Sequence, residues 1–225
     1  ILASLAFGSQ IDFPSVDVAG IRHIIAADIR EAGALGYRVR LIALAECAGE
    51  AGEDGGLFQR VQPMLVPMDH PLAHVDGALN AVVAEGNYVG RLFFQGAGAG
   101  AGPTASAVVA DIIDIAREEC GPAFAMPAKW LRDQPKADAG QRTSRAYLRF
   151  RVRDQPGVLA EITAAMRDAG VSIESVLQRS ATENGDVLVA IVTHEAALAC
   201  IDDVLARLGG SDSLIDAPMV LHILG

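Results

Sequence analysis

The stretch from Leu92 to Ser106 restricts the fold more than any other part of the chain. Leu92-Phe93-Phe94-Gln95 runs into glycines at alternate positions 96, 98, 100 and 102, then into Pro103-Thr104-Ala105-Ser106. An apolar-periodic segment, Ala107 to Arg117, follows. This order predicts a strand, a glycine turn and a helix. Glycine accepts φ > 0 and lets another backbone or a ligand approach closely. Pro103 suits the first turn of a helix, where its missing N–H costs nothing. The unpaired N–H groups of that turn suit a phosphate or a carboxylate. The pattern is not the usual dinucleotide fingerprint, because no acidic residue ends a second strand about 20 residues on. A tight structural turn and a ligand-facing turn both remain open at this level.

The segments around the turn predict a mixed α/β region with a largely antiparallel sheet. Residues 1–7 read as a helix end stopped by Gly8, and Gln10 to Val18 as a loop or short extended piece. A helix is expected from Asp28 to Leu35, ended by Gly36. Tyr37 to Glu46 alternates as a strand, and Cys47 to Gly56 is a small, acidic turn. Val61 to Met68 reads as a second strand, which Pro63 and Pro67 assign to a sheet edge or a bulge. Asn80 to Ala84 and Tyr88 to Gln95 form a hairpin around Glu85-Gly86-Asn87. The apolar face of this region needs cover, from helices or from another subunit's sheet.

Residues 121–144 hold Pro122, Pro127, Pro135 and both lysines of the chain, Lys129 and Lys136. Their composition is that of a linker, with Trp130 and Leu131 as anchors to a surface. Residues 145–225 then form a compact unit. Tyr147 to Arg153 is a strand with Leu148, Phe150 and Val152 on one face and Arg149, Arg151 and Arg153 on the other. The arginines read most simply as a solvent face; the alternative is an acidic neighbour in an oligomer. Asp154-Gln155-Pro156-Gly157 breaks the strand, and a helix follows, ended by Gly170. Val171 to Gln178, a turn at Glu183-Asn184-Gly185, Val187 to Thr193, a helix over Glu195 to Leu208 and a strand over Met219 to Leu224 complete βαββαβ, a ferredoxin-like order.

Composition removes several classes of function. The net charge is −10, and no basic face is evident, so nucleic acid is not an expected partner. No apolar run reaches the ~18 residues of a membrane span, so no membrane association is expected. Cys47, Cys120 and Cys200 lie far apart, with neither metal-ligand spacing nor a disulfide framework. Without a signal peptide the default location is the cytoplasm. The chain opens at Ile1 inside an apolar helical pattern, so a preceding segment is expected.

Most of the single polar residues have structural readings. His70 and His74 flank Pro71 in a turn without a third ligand, so no metal site is expected. His23 reads as a loop residue, and His194 and His222 as surface residues at strand ends. Asp111 and Asp114 form a solvated helix face, and Ser106 has no His–Asp pair to activate it.

Two resemblances cover nearly the whole chain. His70-Pro71-Leu72-Ala73, Asn80-Ala81-Val82, Val89-Gly90 and the run from Gly96 through Pro103-Thr104-Ala105-Ser106 to Ile112 resemble the later part of the homoserine dehydrogenase catalytic region. Gly20-Ile21-Arg22-His23-Ile24 and Leu35-Gly36-Tyr37-Arg38-Val39 fit the same family. Asp154-Gln155-Pro156-Gly157-Val158-Leu159-Ala160-Glu161-Ile162 resembles the start of an ACT domain. The expected layout is a catalytic and dimerisation segment over 1–120, a linker over 121–144 and an ACT regulatory domain over 145–225.

The family resemblance implies NAD(P)-dependent interconversion of L-aspartate 4-semialdehyde and L-homoserine, within threonine, methionine and isoleucine biosynthesis. The family's Rossmann domain and its proton-transfer lysine are expected upstream of Ile1. No catalytic residue is therefore assigned here, no activity is expected of these residues alone, and no bound NAD(P) is expected. Gly98, Gly100 and Thr104 are implied to approach the nicotinamide. In the ACT unit, backbone N–H groups of Gly157, Val158 and Leu159 are implied to take an amino-acid carboxylate, and Asp154 its ammonium group. Ser172 stands where amino-acid-binding members often carry Asn. The implied effector is L-threonine, and the implied assembly a homodimer or homotetramer. The competing reading is a non-catalytic amino-acid-binding or oligomerisation module.

Overall fold

The computed structural model describes residues 1–48, 56–179 and 186–225. Most of the turn expected over Cys47–Gly56 and the turn at Glu183-Asn184-Gly185 fall outside these residues. In chain order the elements are α1 (Leu2–Phe7), β1 (Asp17–Val18), α2 (Ala26–Ala34), β2 (Tyr37–Cys47), β3 (Leu57–Pro67), β4 (Leu79–Gly86), β5 (Gly90–Ala97) and α3 (Ala101–Ala116). Then come β6 (Thr143–Ser144), β7 (Ala146–Arg153), α4 (Val158–Asp168), β8 (Ile173–Arg179), β9 (Asp186–Thr193), β10 (Ala196–Ala197), α5 (Leu198–Leu208) and β11 (Met219–Ile223). The architecture is mixed α/β with a largely antiparallel sheet and a ferredoxin-like βαββαβ unit at its end.

These elements sort into two compact units, each assembled from two stretches of chain. The first comprises Ile1–Ile11 and Met68–Gln134. In it α1 stops at Gly8, whose φ of +62° favours glycine. Residues 8–10 then hydrogen-bond with Arg132: Arg132 N–H donates to the Gly8 carbonyl at 2.9 Å, and Gln10 N–H to the Arg132 carbonyl at 2.8 Å. The hairpin β4–β5 pairs from Leu79↔Ala97 to Gly86↔Gly90. Its connection is therefore Asn87-Tyr88-Val89, two residues later than the sequence reading. Gly90 supplies φ +70°, which lets a three-residue loop join twisted strands. Helix α3 buries none of its side chains among the described residues.

The second unit comprises Asp12–Pro67 and Pro135–Gly225. One sheet runs through it in the order β1-β3-β11-β7-β9-β8, with β2 also paired to β3. The strands β11, β7, β9 and β8 are the antiparallel sheet of the βαββαβ unit. The last of them, β11, continues the sheet by pairing in parallel with β3. Side chains alternate across the sheet. Leu148, Phe150 and Val152 pack with Val158, Ile162 and Met166 of α4 and Ile201, Val204 and Leu208 of α5. On the other face Tyr147, Ala190, Val192, Leu65 and Leu221 pack with Ala32 of α2.

Three expectations are corrected here. Despite its prolines, β3 is an interior strand. Carbonyls of Val61 and Leu65 accept from Ala19 and Leu224, so odd residues point away from β2. Pro63 lies between them and points the same way, into the gap between the partners β1 and β11. It removes no rung of the β2–β3 ladder. Second, α5 begins at Leu198 rather than Glu195, because Ala196 and Ala197 pair with Ser144 and Thr143 of the expected linker. Third, Arg149 is 6% exposed and does not face solvent, because α2 covers that face of β7.

Candidate functional site

The strand, glycine turn and helix occur in the predicted order, with Gly96 inside β5 and Gly102 inside α3, and two of the four glycines meet distinct constraints. Gly100 has φ 124° and ψ 153°, a region closed to residues with a Cβ, and it forms the N-cap of α3. Its carbonyl accepts the Thr104 N–H at 3.0 Å, which starts the helical ladder. Gly98 needs no positive φ. A methyl group there would overlap the Asn80 carboxamide, coming within 2.7 Å of its Cγ. Gly96 and Gly102 need neither condition: a Cβ on either would meet nothing within 4 Å, and neither has a positive φ. No neighbour within the described chain explains their bareness. Thr104 is exposed beside them, one turn into α3. An open backbone at the positive end of a 16-residue helix suits a polar or anionic group lying flat against it.

The histidines near this hairpin serve the local fold. His70 Nδ1 faces the Leu72 N–H at 3.2 Å and caps the short turn Pro71–His74. His74 Nε2 lies 2.8 Å from the Met68 carbonyl. Asp111, Asp114 and Ser106 are exposed along α3. Among the described residues no group of three or more His, Cys, Asp or Glu is placed to hold a metal ion.

The second candidate lies at the start of α4. Gly157 has φ 96° and ψ −18°, and caps the helix. Its carbonyl accepts the Glu161 N–H at 2.9 Å, while Val158 N–H reaches the Gln155 carbonyl at 3.5 Å. Val158 is buried, whereas Asp154, Gly157 and Leu159 are exposed. Ser172 is exposed too, and its carbonyl accepts from His194 N–H at 2.9 Å. The loop before β11 flanks this region: Arg153 N–H donates to the Ser213 carbonyl, and the Ser213 hydroxyl donates to Glu161 at 2.8 Å. Hydrogen bonds from Ser211 and Ser213 hold the Glu161 carboxyl below its ordinary pKa.

The charged cluster that sequence reasoning missed joins α2 to the sheet. Asp28 is fully buried, and its Oδ2 accepts the Ile25 N–H at 2.9 Å, capping α2. Its Oδ1 lies 2.9 Å from Arg149 Nε, a charge contact without hydrogen-bond alignment, and 3.4 Å from the Tyr147 hydroxyl, which donates to it. Burial first, then the Asp28 charge, pushes the Tyr147 hydroxyl well above its ordinary pKa. Arg149 also donates to the His23 carbonyl at 3.5 Å. One turn along α2, Glu31 accepts Arg179 bidentately at 3.0 and 2.8 Å. Acidic residues at i and i+3 of a helix, in a chain with an arginine-striped strand, were the signal available.

His222, expected at the surface, is instead mostly buried in β11, opposite Met64 and Ala146. Burial, with Arg60 and Arg142 nearby, lowers its pKa to about 4. Among the described residues its Nδ1 has no hydrogen-bond partner.

The fold and the two sites define a class: an α/β chain joining a glycine-turn region to a ferredoxin-like regulatory module. Residues 1–113 match the homoserine dehydrogenase family model, and residues 146–210 the ACT domain model. Homoserine dehydrogenase of Pseudomonas aeruginosa is 37% identical over 227 residues, covering 98% of this chain and 51% of that protein. The Synechocystis homoserine dehydrogenase is 36% identical, covering 100% and 53%. The crystal structure of a homoserine dehydrogenase from Thiobacillus denitrificans superposes with a TM-score of 0.85 at 33% identity, covering 99% of this chain and 51% of that one. The chain belongs to the homoserine dehydrogenase family and carries an ACT domain. It spans about half the length of the curated relatives it matches.

Proposed function

We propose that this chain supplies the cofactor-closing turn, the assembly surface and the regulatory module of a homoserine dehydrogenase. The reaction is the NAD(P)-dependent interconversion of L-aspartate 4-semialdehyde and L-homoserine, in the cytoplasm. The observation that carries this reading is the glycine turn inside the family match. Gly96 and Gly102 lie bare in open space, so the backbone from 96 to 104 can lie against a flat ring. The nicotinamide supplies hydride transfer when bound. Gly98, Gly100 and Thr104 line its approach, and the proton-transfer lysine comes from the other half of the protein.

The ACT module is the regulatory part of the reading. Gly157, Val158 and Leu159 open α4 and suit an amino-acid carboxylate, with Asp154 beside them for its ammonium group and Ser172 across the loop. L-threonine, the pathway product, is the proposed effector. A homo-oligomer, dimer or tetramer, is supported by the apolar residues left uncovered on α3, where Ile112 is 58% and Ile115 65% exposed. The same observation favours a second reading, a non-catalytic assembly and amino-acid-binding module.

The test is an assay of the full-length protein for NAD(P)-dependent oxidation of L-homoserine, with and without L-threonine. The expected result is oxidation that threonine inhibits and L-serine does not. Absence of oxidation would overturn the enzymatic reading in favour of the module. Oxidation indifferent to threonine would overturn the regulatory part alone.

A further inference from the structure

We infer that Asn80 is a positioning residue for the glycine turn, and that its carboxamide fixes the shape the turn presents to the nicotinamide cofactor. This rests on the proposed reading of the turn as cofactor-facing.

Gly98 is the key to the argument. Its backbone imposes no positive φ, so an L-residue is permitted there on conformational grounds. A side chain is barred only by what already occupies the space. The three nearest atoms to a Cβ at this position are Nδ2, Cγ and Oδ1 of one residue, Asn80. As placed, the carboxamide fills the space a side chain at 98 would take, and a methyl group there would have to swing it aside.

Strand pairing explains how Asn80 reaches it. Asn80 is opposite Gly96 in the hairpin, so its side chain stands at the point where β5 leaves the ladder and the turn begins. With no side chain on Gly96 to block it, the carboxamide extends along the strand to the position two residues on. Its own tether is weak, a donation to the Ala78 carbonyl at 3.4 Å. The hairpin register and this one hydrogen bond place the carboxamide over Gly98. Two residues further, Gly100 turns through its φ of 124° and starts α3. A shift at Gly98 therefore passes directly to Gly100, Thr104 and the unpaired N–H groups at the helix start.

The experiment is a double-mutant cycle in the full-length protein with Asn80→Ala, Gly98→Ala and the double variant, and Gly100→Ala as a control. Cofactor Kd by protein fluorescence, KM and kcat, and Tm are read for each. Gly98→Ala, which swings the carboxamide aside, and Asn80→Ala, which removes it, are each expected to weaken cofactor binding about threefold, with little change in Tm. The double variant is expected to bind as Asn80→Ala alone does, because removing the carboxamide makes room for the methyl group. Additive losses in the double variant, or an Asn80→Ala protein with unchanged cofactor Kd, would overturn the inference while leaving the cofactor-facing reading intact. If Gly100→Ala also left cofactor Kd unchanged, the reading of the turn itself would fall, and the role of Asn80 with it.

Discussion

Replacing Arg149 with methionine tests whether the buried Asp28–Arg149 pair holds α2 to the sheet. Both groups are out of solvent, Asp28 at 0% and Arg149 at 6% exposure, and their charges meet at 2.9 Å. Met keeps the apolar stem but removes the one cation that touches Asp28 among the described residues. The carboxylate then keeps the Ile25 N–H and the Tyr147 hydroxyl, two neutral donors. Leaving a buried charge without its counter-ion costs about 3–5 kcal/mol. In a unit of this size that corresponds to a drop of roughly 10 °C in Tm. Asp28→Leu alone strands the Arg149 charge and also loses the cap, worth about 1 kcal/mol more. The double variant strands neither charge, so it should be more stable than either single variant. Urea unfolding followed by far-UV circular dichroism measures all three. A loss below about 1 kcal/mol for Arg149→Met, or a double variant whose loss equals the sum of the singles, would refute the pairing.

The remaining predictions concern the same unit. His222 titrates at about 4 when folded and near 6.5 when unfolded, so the unfolded chain binds the extra proton between those values. Its contribution is fully present above pH 6.5 and is lost as pH falls towards 4, about 3 kcal/mol in all; His222→Leu should flatten the stability–pH curve in that window, and an unchanged slope would contradict it. Gly56 has φ +81°, and a methyl there would lie 2.8 Å from the Pro135 carbonyl oxygen. Gly56→Ala should therefore cost more than about 2 kcal/mol by urea titration, whereas a neutral effect would show that Gly56 does not lie this close to Pro135.

What the sequence disclosed follows from the range of the forces involved. The strand, turn and helix around 96–104 are written in adjacent residues, as is the alternation of β7 and the helical period of α4. Fold class and family were legible for that reason. The errors came where a residue's environment is supplied from far along the chain. Pro63 reads locally as a sheet-edge signal, but its fate depends on where β1 and β11 end along β3. Arg149 alternates with core residues and so reads as solvent-facing; its cover, Asp28, lies 121 positions earlier. His222 sits near a strand end, yet β3 pairs alongside it from the other half of the unit. Composition and spacing treat the four glycines of the turn alike, and only the family resemblance picks out Gly98 and Gly100. The backbone angle of Gly100 and the Asn80 carboxamide beside Gly98 add a structural distinction from Gly96 and Gly102.

The parallel pairing of β11 with β3 has a consequence for how the two family matches divide the chain. A ferredoxin-like unit has two edge strands, and an exposed edge invites pairing with another chain. Here β11 is no edge, because His222 and Ile223 are in register with Met64 and Leu65. The opposite face of the same sheet is closed by α2, through apolar contact at Ala32 and two arginine–carboxylate pairs. The ACT sequence therefore shares its core with residues 12–67, which belong to the homoserine dehydrogenase match. A buried aspartate and a buried arginine on opposite sides of that boundary tolerate separation poorly, since either one alone is an uncompensated charge. Cutting between the two sequence matches would expose Tyr147, Arg149 and the β11 edge together, so the stable division of this chain follows the sheet and not the order of the family segments.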